Sequence, residues 1–362
     1  MSQVLFFDYS KAINALAGLR RLISRSQLQD MIPKAEAVAI KLHMGELGNI
    51  RYLRPAFARQ VVDIVKKAEG RPFLFDTVAA YPGERRTKAK YLRTAAKNGF
   101  VKSSVNAPIV IAGDKDEQQS IRIETLIDGC QLRDVMVPSL LLKSSFFVVL
   151  SHVKGHELAG MGGAIKNMGM GCVSTKTKQA QHHVNMPIWD DDGDCDGCGK
   201  CVNACPTHAI KLVDGTPVRE TVECTACGTC HFVCPSHCWV WPAGSKEKLQ
   251  INLAHSASGV MSAFRGRSIF INFIQDVVPL CDCAAASGRP IVQDVGIALS
   301  LDPVAVDRAS LDLVDRAPII PGTTSFTPPD LLGKIHNTSS LVQMKTAEKL
   351  RLGSMDYELV TV

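Results

Sequence analysis

The sequence lacks any stretch that is long and apolar enough to cross a membrane. A spanning helix needs about 20 predominantly apolar residues, and no window of this chain offers such a run without interruption. The opening residues, MSQVLFFDYSKA, also lack the basic start and the longer apolar core of a secretory signal. We therefore expect a cytoplasmic protein with no membrane partner.

Aromatic residues and clustered basic residues are also scarce. Aromatic residues make up 6% of the chain, and its Lys and Arg residues are scattered although the net charge is +6. Nucleic-acid binding usually needs a basic patch and stacking aromatics, so it is not expected. The sequence also has no nucleophile elbow, zinc-protease motif or P-loop, which argues against a hydrolase and against nucleotide binding.

Cysteine, in contrast, is abundant. The chain has thirteen cysteines, an odd number, and most of them lie between positions 195 and 238. A disulfide framework would spread an even number along a short secreted chain. The pattern therefore indicates thiolates that bind metal in a reducing compartment.

The spacing of these cysteines is a doubled C-x2-C-x2-C-x3-C-P pattern. Each tight triplet can hold three corners of a 4Fe-4S cluster, while the fourth cysteine, before proline, reaches the other cluster. Two zinc sites are the alternative, but zinc ribbons need neither the third cysteine nor the Cys-Pro exit. The spacing predicts one cluster held by Cys195, Cys198, Cys201 and Cys234, and a second held by Cys224, Cys227, Cys230 and Cys205.

The segment that carries these cysteines is acidic. Residues 190–244, called here the cysteine-rich segment, hold eight acidic and three basic residues, a net charge of −5. Its run DDDGDCDG (190–197) is either a solvated linker or a patch that steers a basic redox partner protein. Cys238 is either a buried thiol or a ninth ligand.

On both sides of this segment, short apolar runs alternate with amphipathic helical patterns. This pattern is typical of an α/β fold, a mostly parallel sheet with crossover helices, here interrupted by a small inserted domain. The expected parts are a first host part (1–189), the insert (190–244) and a second host part (245–362). The predicted strands are VLFF (4–7), AVAIKL (37–42), PFLFD (72–76), PIVIAG (108–113), FFVVL (146–150), SIFINFI (268–274) and PIVQDVGIA (290–298).

Helical patterns are expected at 12–23, 55–68 and about 248–264, and from Pro303 onwards. Pro55 and Pro303 suit the first turn of a helix, where the missing N–H costs nothing, and Asp302 suits the cap before it. Two strand ends also look alike: VAIKLHMGELG (38–48) and FVVLSHVKGHELAG (147–160). We expect both loops at the carboxyl edge of the sheet, where open α/β folds bind ligands.

The second of these strand ends leads into the glycine-rich stretch MGGAIKNMGMGC (161–172). Its glycines either allow tight helix packing or let the backbone approach a ligand. Several proton-transfer groups surround the stretch, so a catalytic cleft is predicted there, between the sheet edge and the insert. The candidate catalytic residues are His152, Lys154, His156 and Lys166, with Cys172, His182 and His183 nearby, and the candidate cofactor-binding residues are Gly162, Gly163 and Asn167.

Two further groups are candidates for the same edge. Lys41, His43 and Arg51, with Glu46, form a polar strand end that would bind the carboxylate or phosphate of a small anionic substrate, or else form a salt-bridged loop. Cys281 and Cys283 would bind one metal ion, exchange between dithiol and disulfide, or simply be buried.

The chain resembles the ferredoxin-containing branch of the family called domain of unknown function 362. The resemblance rests on AIKLHMGELGNIRYLRP (39–55), LSHVKGHELAGMGGAIKNMGMGC (150–172), INFIQDVVPLCDC (271–283), PIVQDVGIALSLDPVAVDRASLDLV (290–314) and the cysteine array, which is similar to bacterial two-cluster ferredoxins. It implies an α/β host, a two-cluster insert and anaerobic chemistry, but no particular reaction. The sequence TKTK (175–178) departs from the expected pattern and puts a role for Lys178 in doubt.

Two functions follow from these features. In the first, the protein is an oxidoreductase whose two 4Fe-4S clusters deliver single electrons to a substrate or cofactor at the sheet edge. In the second, it is a non-enzymatic electron carrier or adaptor. The position of the cysteines relative to a polar cleft discriminates between them, because electron tunnelling falls steeply with distance.

Overall fold

A computed structural model describes residues 1–11, 14–190, 194–221 and 223–362. Its centre is an eight-stranded sheet in which five of the seven strand pairings are parallel. Helices cover both faces of the sheet. The predicted α/β fold with a mostly parallel sheet is therefore confirmed.

The described residues form sixteen strands and fourteen α-helices. The strands are β1 (Ser2–Asp8), β2 (Ala37–Lys41), β3 (Arg71–Thr77), β4 (Ile109–Ala112), β5 (Gln118–Arg122), β6 (Asp134–Pro138), β7 (Phe146–His152), β8 (Lys154–His156), β9 (Gly160–Gly162), β10 (Ile188–Trp189), β11 (Ile210–Val213), β12 (Thr216–Arg219), β13 (Trp239–Val240), β14 (Ser268–Ile274), β15 (Gly296–Ser300) and β16 (Tyr357–Thr361). The order in the main sheet is β16-β1-β15-β14-β7-β2-β3-β4.

The helices range from one turn to five turns in length. They are α1 (Ala15–Arg25), α2 (Leu28–Met31), α3 (Pro55–Lys67), α4 (Lys88–Lys97), α5 (Lys102–Val105), α6 (Ser139–Leu142), α7 (Ala164–Gly169), α8 (Thr175–His182), α9 (Lys200–Ala204), α10 (Thr229–Val233), α11 (Ser245–Ser262), α12 (Pro303–Arg316), α13 (Leu331–Ile335) and α14 (Leu341–Lys349). None of the helices in the described part of the chain is long and apolar enough to cross a bilayer.

The two central strands β7 and β14 are buried along their whole length. Their side chains alternate between two hydrophobic cores: Phe147 and Val149 pack on one face of the sheet, and Val148 and Leu150 on the other. A parallel strand covered on both faces needs a continuous apolar sequence. The runs FFVVL and SIFINFI meet that need, which explains why the sequence predicted both strands.

The predicted helix starts are confirmed at two prolines. Pro55 and Pro303 each occupy the first turn of a helix, α3 and α12. Asp302 caps α12, because its Oδ1 accepts hydrogen bonds from the backbone N–H groups of Val304 at 2.8 Å and Ala305 at 3.0 Å. The helix predicted at 12–23 is observed as α1, from Ala15 onwards, and positions 12 and 13 lie outside the described residues.

One strand boundary was predicted wrongly. The strand expected at 290–298 is observed only from Gly296, and it runs antiparallel to both of its neighbours, β1 and β14. The residues before it pair elsewhere, since the N–H of Ile291 donates to Val277 O and Val292 bridges to Ile319. The edge strand β16 and the hairpin of β5 and β6 were not predicted; β5 in particular is largely polar and exposed.

The cysteine-rich segment enters and leaves the host fold at one place. Strand β10, just before the segment, pairs with β13 near its end, with Ile188 opposite Val240 and Trp189 opposite Trp239. Between them lie the hairpin of β11 and β12 and the helices α9 and α10, which share a small core around Trp239. Positions 191–193, within the acidic run, and position 222 lie outside the described residues.

The two halves of this segment repeat the same backbone geometry. A glycine in the left-handed conformation precedes each short helix, Gly199 before α9 and Gly228 before α10. His208 and His237, each three residues after the last cysteine of its motif, also have positive φ angles. The doubled spacing of the sequence thus corresponds to a doubled local structure.

Because β10 and β13 are adjacent, we expect the host fold to survive removal of residues 190–244 when a short glycine-serine linker joins the ends. Segments whose ends lie close together can be removed without straining the rest of a domain. The shortened protein should melt cooperatively, at a lower temperature than the full chain, because Trp241 no longer packs against Leu249 and Leu253. Circular dichroism during heating measures this, and an aggregated product without a cooperative transition would contradict it.

Candidate active-site cavity

A cavity of about 260 Å³ opens at the carboxyl edge of the main sheet. The strands β3, β2, β7 and β14 are neighbours and run parallel, so all four end at this edge. Residues at or after these strand ends form one wall. They are Lys41 and His43 after β2, Asp76, Thr77, Tyr81 and Arg85 at and after β3, Lys154 and His156 after β7, and Cys281 and Cys283 after β14.

Three helices and the cysteine-rich segment contribute to the remaining walls, with Leu249 and Leu253 coming from α11. Helix α7 and the turn after it contribute Lys166, Asn167, Met170 and Gly171, and helix α8 contributes Lys178 and His182. The cysteine-rich segment contributes Thr225, Ala226, Cys227, Phe232 and Trp241. The cavity therefore lies between the sheet edge and the cysteine-rich segment, and the stretch MGGAIKNMGMGC forms part of its wall.

Asn167 anchors this stretch to the sheet. Its Nδ2 donates hydrogen bonds to the backbone oxygen of Leu150 at 2.9 Å and to Ser151 Oγ at 3.1 Å. Its Oδ1 accepts a hydrogen bond from Lys41 Nζ at 2.6 Å. The amide thus fixes α7 over the end of β7 and orients a lysine at the end of β2.

The glycines of the stretch MGGAIKNMGMGC have different structural roles. A Cβ atom at Gly163 would lie 2.3 Å from Asp307 Oδ1, and one at Gly169 would lie 2.3 Å from the backbone oxygen of Leu253. Both distances are shorter than real Cβ contacts, so a larger residue at either position would clash, and these two glycines are required for close packing. Gly162 differs, because its nearest neighbour is the flexible side chain of Lys154 at 3.2 Å.

Lys41 is buried in an ion pair at the back of the cavity. Its Nζ lies 3.0 Å from Asp76 Oδ1, and both side chains are at most 3% exposed. Asp76 also accepts hydrogen bonds from Tyr91 Oη and from the N–H of Thr77. A buried pair persists only when further hydrogen bonds satisfy its remaining polar groups, as they do here.

Asp282 holds two of the predicted catalytic residues together. This fully buried carboxylate accepts from His152 Nδ1 at 2.8 Å and from Lys154 Nζ at 3.1 Å. Burial alone would raise the pKa of Asp282, but Lys154 and His152 outweigh it and hold this pKa well below its usual range. Lys154 lines the cavity, whereas His152 lies behind it, with Nε2 against the backbone oxygen of Gln275 at 2.8 Å.

Three imidazoles face the cavity: His43, His156 and His182. Burial, reinforced by nearby cations, lowers the pKa of His43 and His156 well below the usual value and that of His182 to about 4. All three rings are therefore neutral near pH 7. His156 Nδ1 accepts from the N–H groups of Leu158 and Ala159, both at 3.2 Å, so its proton is on Nε2.

Lys166 and Lys178 are the cavity lysines without a carboxylate partner among the described residues. Lys166 Nζ lies 3.8 Å from Cys281 Sγ. Lys178 donates to Thr77 Oγ1 at 2.7 Å and to the backbone oxygen of Val78. Burial, with a smaller effect of Arg85 and Lys41, lowers the pKa of Lys178 to about 7, which suits proton exchange near neutral pH.

Cys281 and Cys283 lie side by side at the same edge. Their sulfur atoms and one ring nitrogen of His156 all lie within 4.8 Å of one another. The hydrogen bond between the two sulfurs lowers the pKa of Cys281 and raises that of Cys283, and Lys166 further favours the Cys281 thiolate. These three side chains form a candidate metal site or a candidate redox pair.

The predicted site residues are not all brought together. Arg51 lies outside the cavity, bound to Asp276 at 2.6 Å, and Glu46 is paired with Arg85 at 3.1 Å, so this strand end is largely the salt-bridged loop that was considered as the alternative. Cys172 is buried and His183 is exposed, and neither lines the cavity.

Sequence reasoning missed Asp76, Tyr81 and Arg85. They follow β3, which was predicted as a strand of the same sheet, so the rule that ligand sites lie beyond the carboxyl ends of parallel strands would have identified this loop as well. Arg85 stacks on the rings of Tyr81 and Tyr91 and presents a buried cation to the cavity.

The eight cysteines of the doubled pattern form two groups of four, each around a small cavity of its own. One cavity is lined by Cys195, Cys198, Cys201 and Cys234, together with the buried Cys238, and the other by Cys205, Cys224, Cys227 and Cys230. Backbone N–H groups point at the cysteine sulfurs, from Ala209 to Cys205 and from Cys238 to Cys234, both at 3.3 Å.

A family model described as "Domain of unknown function (DUF362)" matches residues 38–312, about three quarters of the chain. None of the curated proteins matches the sequence. Among solved structures, a protein from Thermotoga maritima is similar, with 9% identity over 83% of this chain and 58% of its own, and a TM-score of 0.44. The lactate racemase apoprotein from Thermoanaerobacterium thermosaccharolyticum is 12% identical over 76% of this chain and 51% of its own, with a TM-score of 0.38. The chain thus matches a little over half the length of each.

Replacing Lys178 with Met should change how stability depends on pH. Below pH 7, Lys178 is protonated in both the folded and the unfolded wild-type protein. Between about pH 7 and pH 10.5, Lys178 is protonated only in the unfolded state. The free energy of unfolding of the wild type therefore rises with pH in this range, relative to that of Lys178→Met. The slope is roughly 1.4 kcal/mol per pH unit. Melting temperatures of the two proteins from pH 6 to pH 9.5 measure it.

Lys176→Met, on the exposed face of the same helix, is the matched control. The melting temperature of this control should differ from wild type by the same amount at every pH. A pH-independent difference for Lys178→Met as well would show that Lys178 keeps an ordinary pKa.

Proposed function

Since the chain belongs to the DUF362 family, whose description names no reaction, we propose a function from the site itself. The protein is an iron-sulfur oxidoreductase that passes single electrons to a small anionic substrate or a cofactor in the cavity. The observation that carries this proposal is that Cys227 lines both the second four-cysteine cavity and the large cavity at the sheet edge.

The chemistry of the cysteine set supports two 4Fe-4S clusters. The residues that would hold them are the two groups of four described above, and each group combines one triplet with the fourth cysteine of the other motif. This crossed grouping is the one that the doubled spacing predicts. When bound, such clusters supply low-potential electrons one at a time.

The two cysteine groups differ in exposure, which suggests a direction for electron entry. Cys195 and Cys198 are exposed, and the acidic Asp194 and Asp196 lie beside them on the surface. A basic redox partner would be steered to this side. The other group faces the cavity through Cys227, so electrons would enter near Cys195 and leave near Cys227.

The charges of the cavity favour an anion. Five cationic side chains line it: Lys41, Arg85, Lys154, Lys166 and Lys178. The first three are paired with the carboxylates of Asp76, Glu46 and Asp282, so among the described residues Lys166 and Lys178 are the cations left to face an anion. Preorganised cations stabilise negative charge that develops on a substrate during reduction. We propose that Lys166 binds the anion, that the Nε2–H group of His156 donates a hydrogen bond to it, and that the ammonium form of Lys178 supplies a proton.

An electron carrier or adaptor without catalysis is the second candidate. The exposed, acidic surface near Cys195 fits docking of a partner in either case. A carrier, however, does not need a cavity that Cys227 lines together with neutral imidazoles and lysines that lack a carboxylate partner in the described part of the chain. The enzyme is therefore the better-supported proposal.

The crossed cysteine grouping can be tested by pairing variants. Cys205→Ala should lose the same iron-sulfur centre as Cys224→Ala, so the two variants should leave identical residual paramagnetic resonance spectra. Cys234→Ala and Cys195→Ala should share the other spectrum. Anaerobic purification with iron and sulfide analysis accompanies these measurements. If Cys205→Ala instead matched Cys195→Ala, the grouping would be wrong, and zinc without sulfide in the wild-type protein would refute the clusters.

The role of the cavity is tested with Lys166→Met. Methionine keeps most of the stem volume and removes the charge, so iron, sulfide and melting temperature should stay at wild-type levels. A hydrogen bond to a charged group is worth about 1.5 to 3 kcal/mol, so binding of oxalate or inorganic phosphate as probe anions should weaken roughly tenfold or more. Calorimetry measures the affinities, with Lys176→Met as the matched control; equal affinities in all three proteins would contradict this role.

A further inference from the structure

Cys281 and Cys283 are a second set of thiols at the cavity, outside the eight cysteines of the doubled pattern. Both line the cavity that also includes Cys227. Their sulfurs lie within 4.8 Å of each other, in the loop that follows β14, with only Asp282 between them in the chain. The proposed electron path leaves this pair without a role.

The loop that carries the pair is rigidly held. The buried side chain of Asp282 is bonded to His152 and Lys154, and its backbone oxygen accepts from the N–H of Glu46 at 2.9 Å. The backbone oxygen of Cys283 accepts a hydrogen bond from Tyr81 Oη at 3.2 Å. These contacts fix both thiols in orientation, so the two sulfurs stay close together.

Two side chains next to the pair favour thiol chemistry over metal binding. Lys166 Nζ, 3.8 Å from Cys281 Sγ, stabilises a thiolate but repels a metal cation. A metal-binding histidine usually donates its second N–H to an acceptor, whereas Nδ1 of His156 faces two backbone N–H donors. The ring is thus arranged as a hydrogen-bond donor through Nε2 and not as a ligand.

We propose that Cys281 and Cys283 form a dithiol-disulfide couple that converts single electrons into an electron pair for the substrate in the cavity. In the reductive direction, the S–S bond breaks and two electrons are taken up, which bound clusters would supply one at a time. Cys283 Sγ gains one proton, and Cys281 Sγ becomes a thiolate beside Lys166 Nζ. The reduced pair then transfers both electrons and that proton to the substrate in the cavity, and the S–S bond between Cys281 and Cys283 forms again. The couple thus explains why a thiol pair lines the same cavity as Cys227 of the second cysteine group.

This inference rests on the proposed function for the source of its electrons, but it has a test of its own. Full-length protein, purified anaerobically with its metal content intact, is equilibrated in glutathione or dithiothreitol buffers of stepped potential. Free thiols are then blocked under denaturing conditions, and peptides are mapped by mass spectrometry. The expected result is an internal disulfide between Cys281 and Cys283 that appears in oxidising buffer and disappears in reducing buffer.

A second measurement counts electrons. Stepwise anaerobic oxidation of the fully reduced protein should release about four electrons per chain, one from each of two clusters and two from the thiol pair. Cys281→Ser and Cys283→Ser should each release about two while retaining wild-type iron and sulfide. Cys130→Ser, which removes a half-buried thiol away from the cavity, is the matched control and should release about four.

The outcomes separate this inference from the proposed function. Absence of iron and sulfide from the anaerobically purified protein would refute the proposed function. Full iron and sulfide with only about two electrons from the wild type, or a 281–283 peptide blocked at both sulfurs in every buffer, overturns the thiol couple alone. One equivalent of zinc or another non-iron metal that is lost in Cys281→Ser and Cys283→Ser but kept in Cys130→Ser also overturns it, because the pair would then be metal ligands.

Discussion

The parallel register of β3, β2, β7 and β14 is the constraint on which the site depends. Four parallel neighbours end at one edge, so residues that are far apart in sequence, such as Asp76, His156 and Cys281, open into one cavity. The helices on both faces cover the apolar strand interiors, and the polar groups that line the cavity come from the strand ends and the loops and helices beside them. The chemistry is therefore confined to this edge, where the cysteine-rich segment packs.

Most of the charged side chains buried at this edge are paired with an opposite charge. Two of the buried cations form an ion pair with a buried carboxylate: Lys41 with Asp76, and Lys154 with Asp282. Breaking one such buried pair costs roughly 3 to 5 kcal/mol, so these side chains are fixed parts of the structure. Lys166 and Lys178 lack such a partner within the described part of the chain. They are the cations free to respond to a ligand.

The predictability of the fold and the site differs from residue to residue. The runs FFVVL and SIFINFI predicted buried strands correctly because a strand covered on both faces must be apolar throughout. The reversed direction of β15 was not predictable, because local pattern carries no information about strand direction. Arg51 was expected at the site, but its partner Asp276 lies 225 residues away in the chain, so no local pattern reveals that the pair exists. In the same way, only the tertiary structure shows that His152 lies behind the cavity and His156 in its wall.

The sign of the charge in the cavity wall also governs the release of product. A wall that presents cations without carboxylate partners, as Lys166 and Lys178 are among the described residues, holds the more negative of two similar molecules more tightly. A reduction that adds electrons alone makes the product more negative than the substrate. Such a product would be retained and would inhibit the next turnover. Proton donors in the wall, among them the ammonium group of Lys178, therefore help to release the product as well as to complete its reduction. Each proton that they deliver neutralises one unit of the negative charge that binds the product.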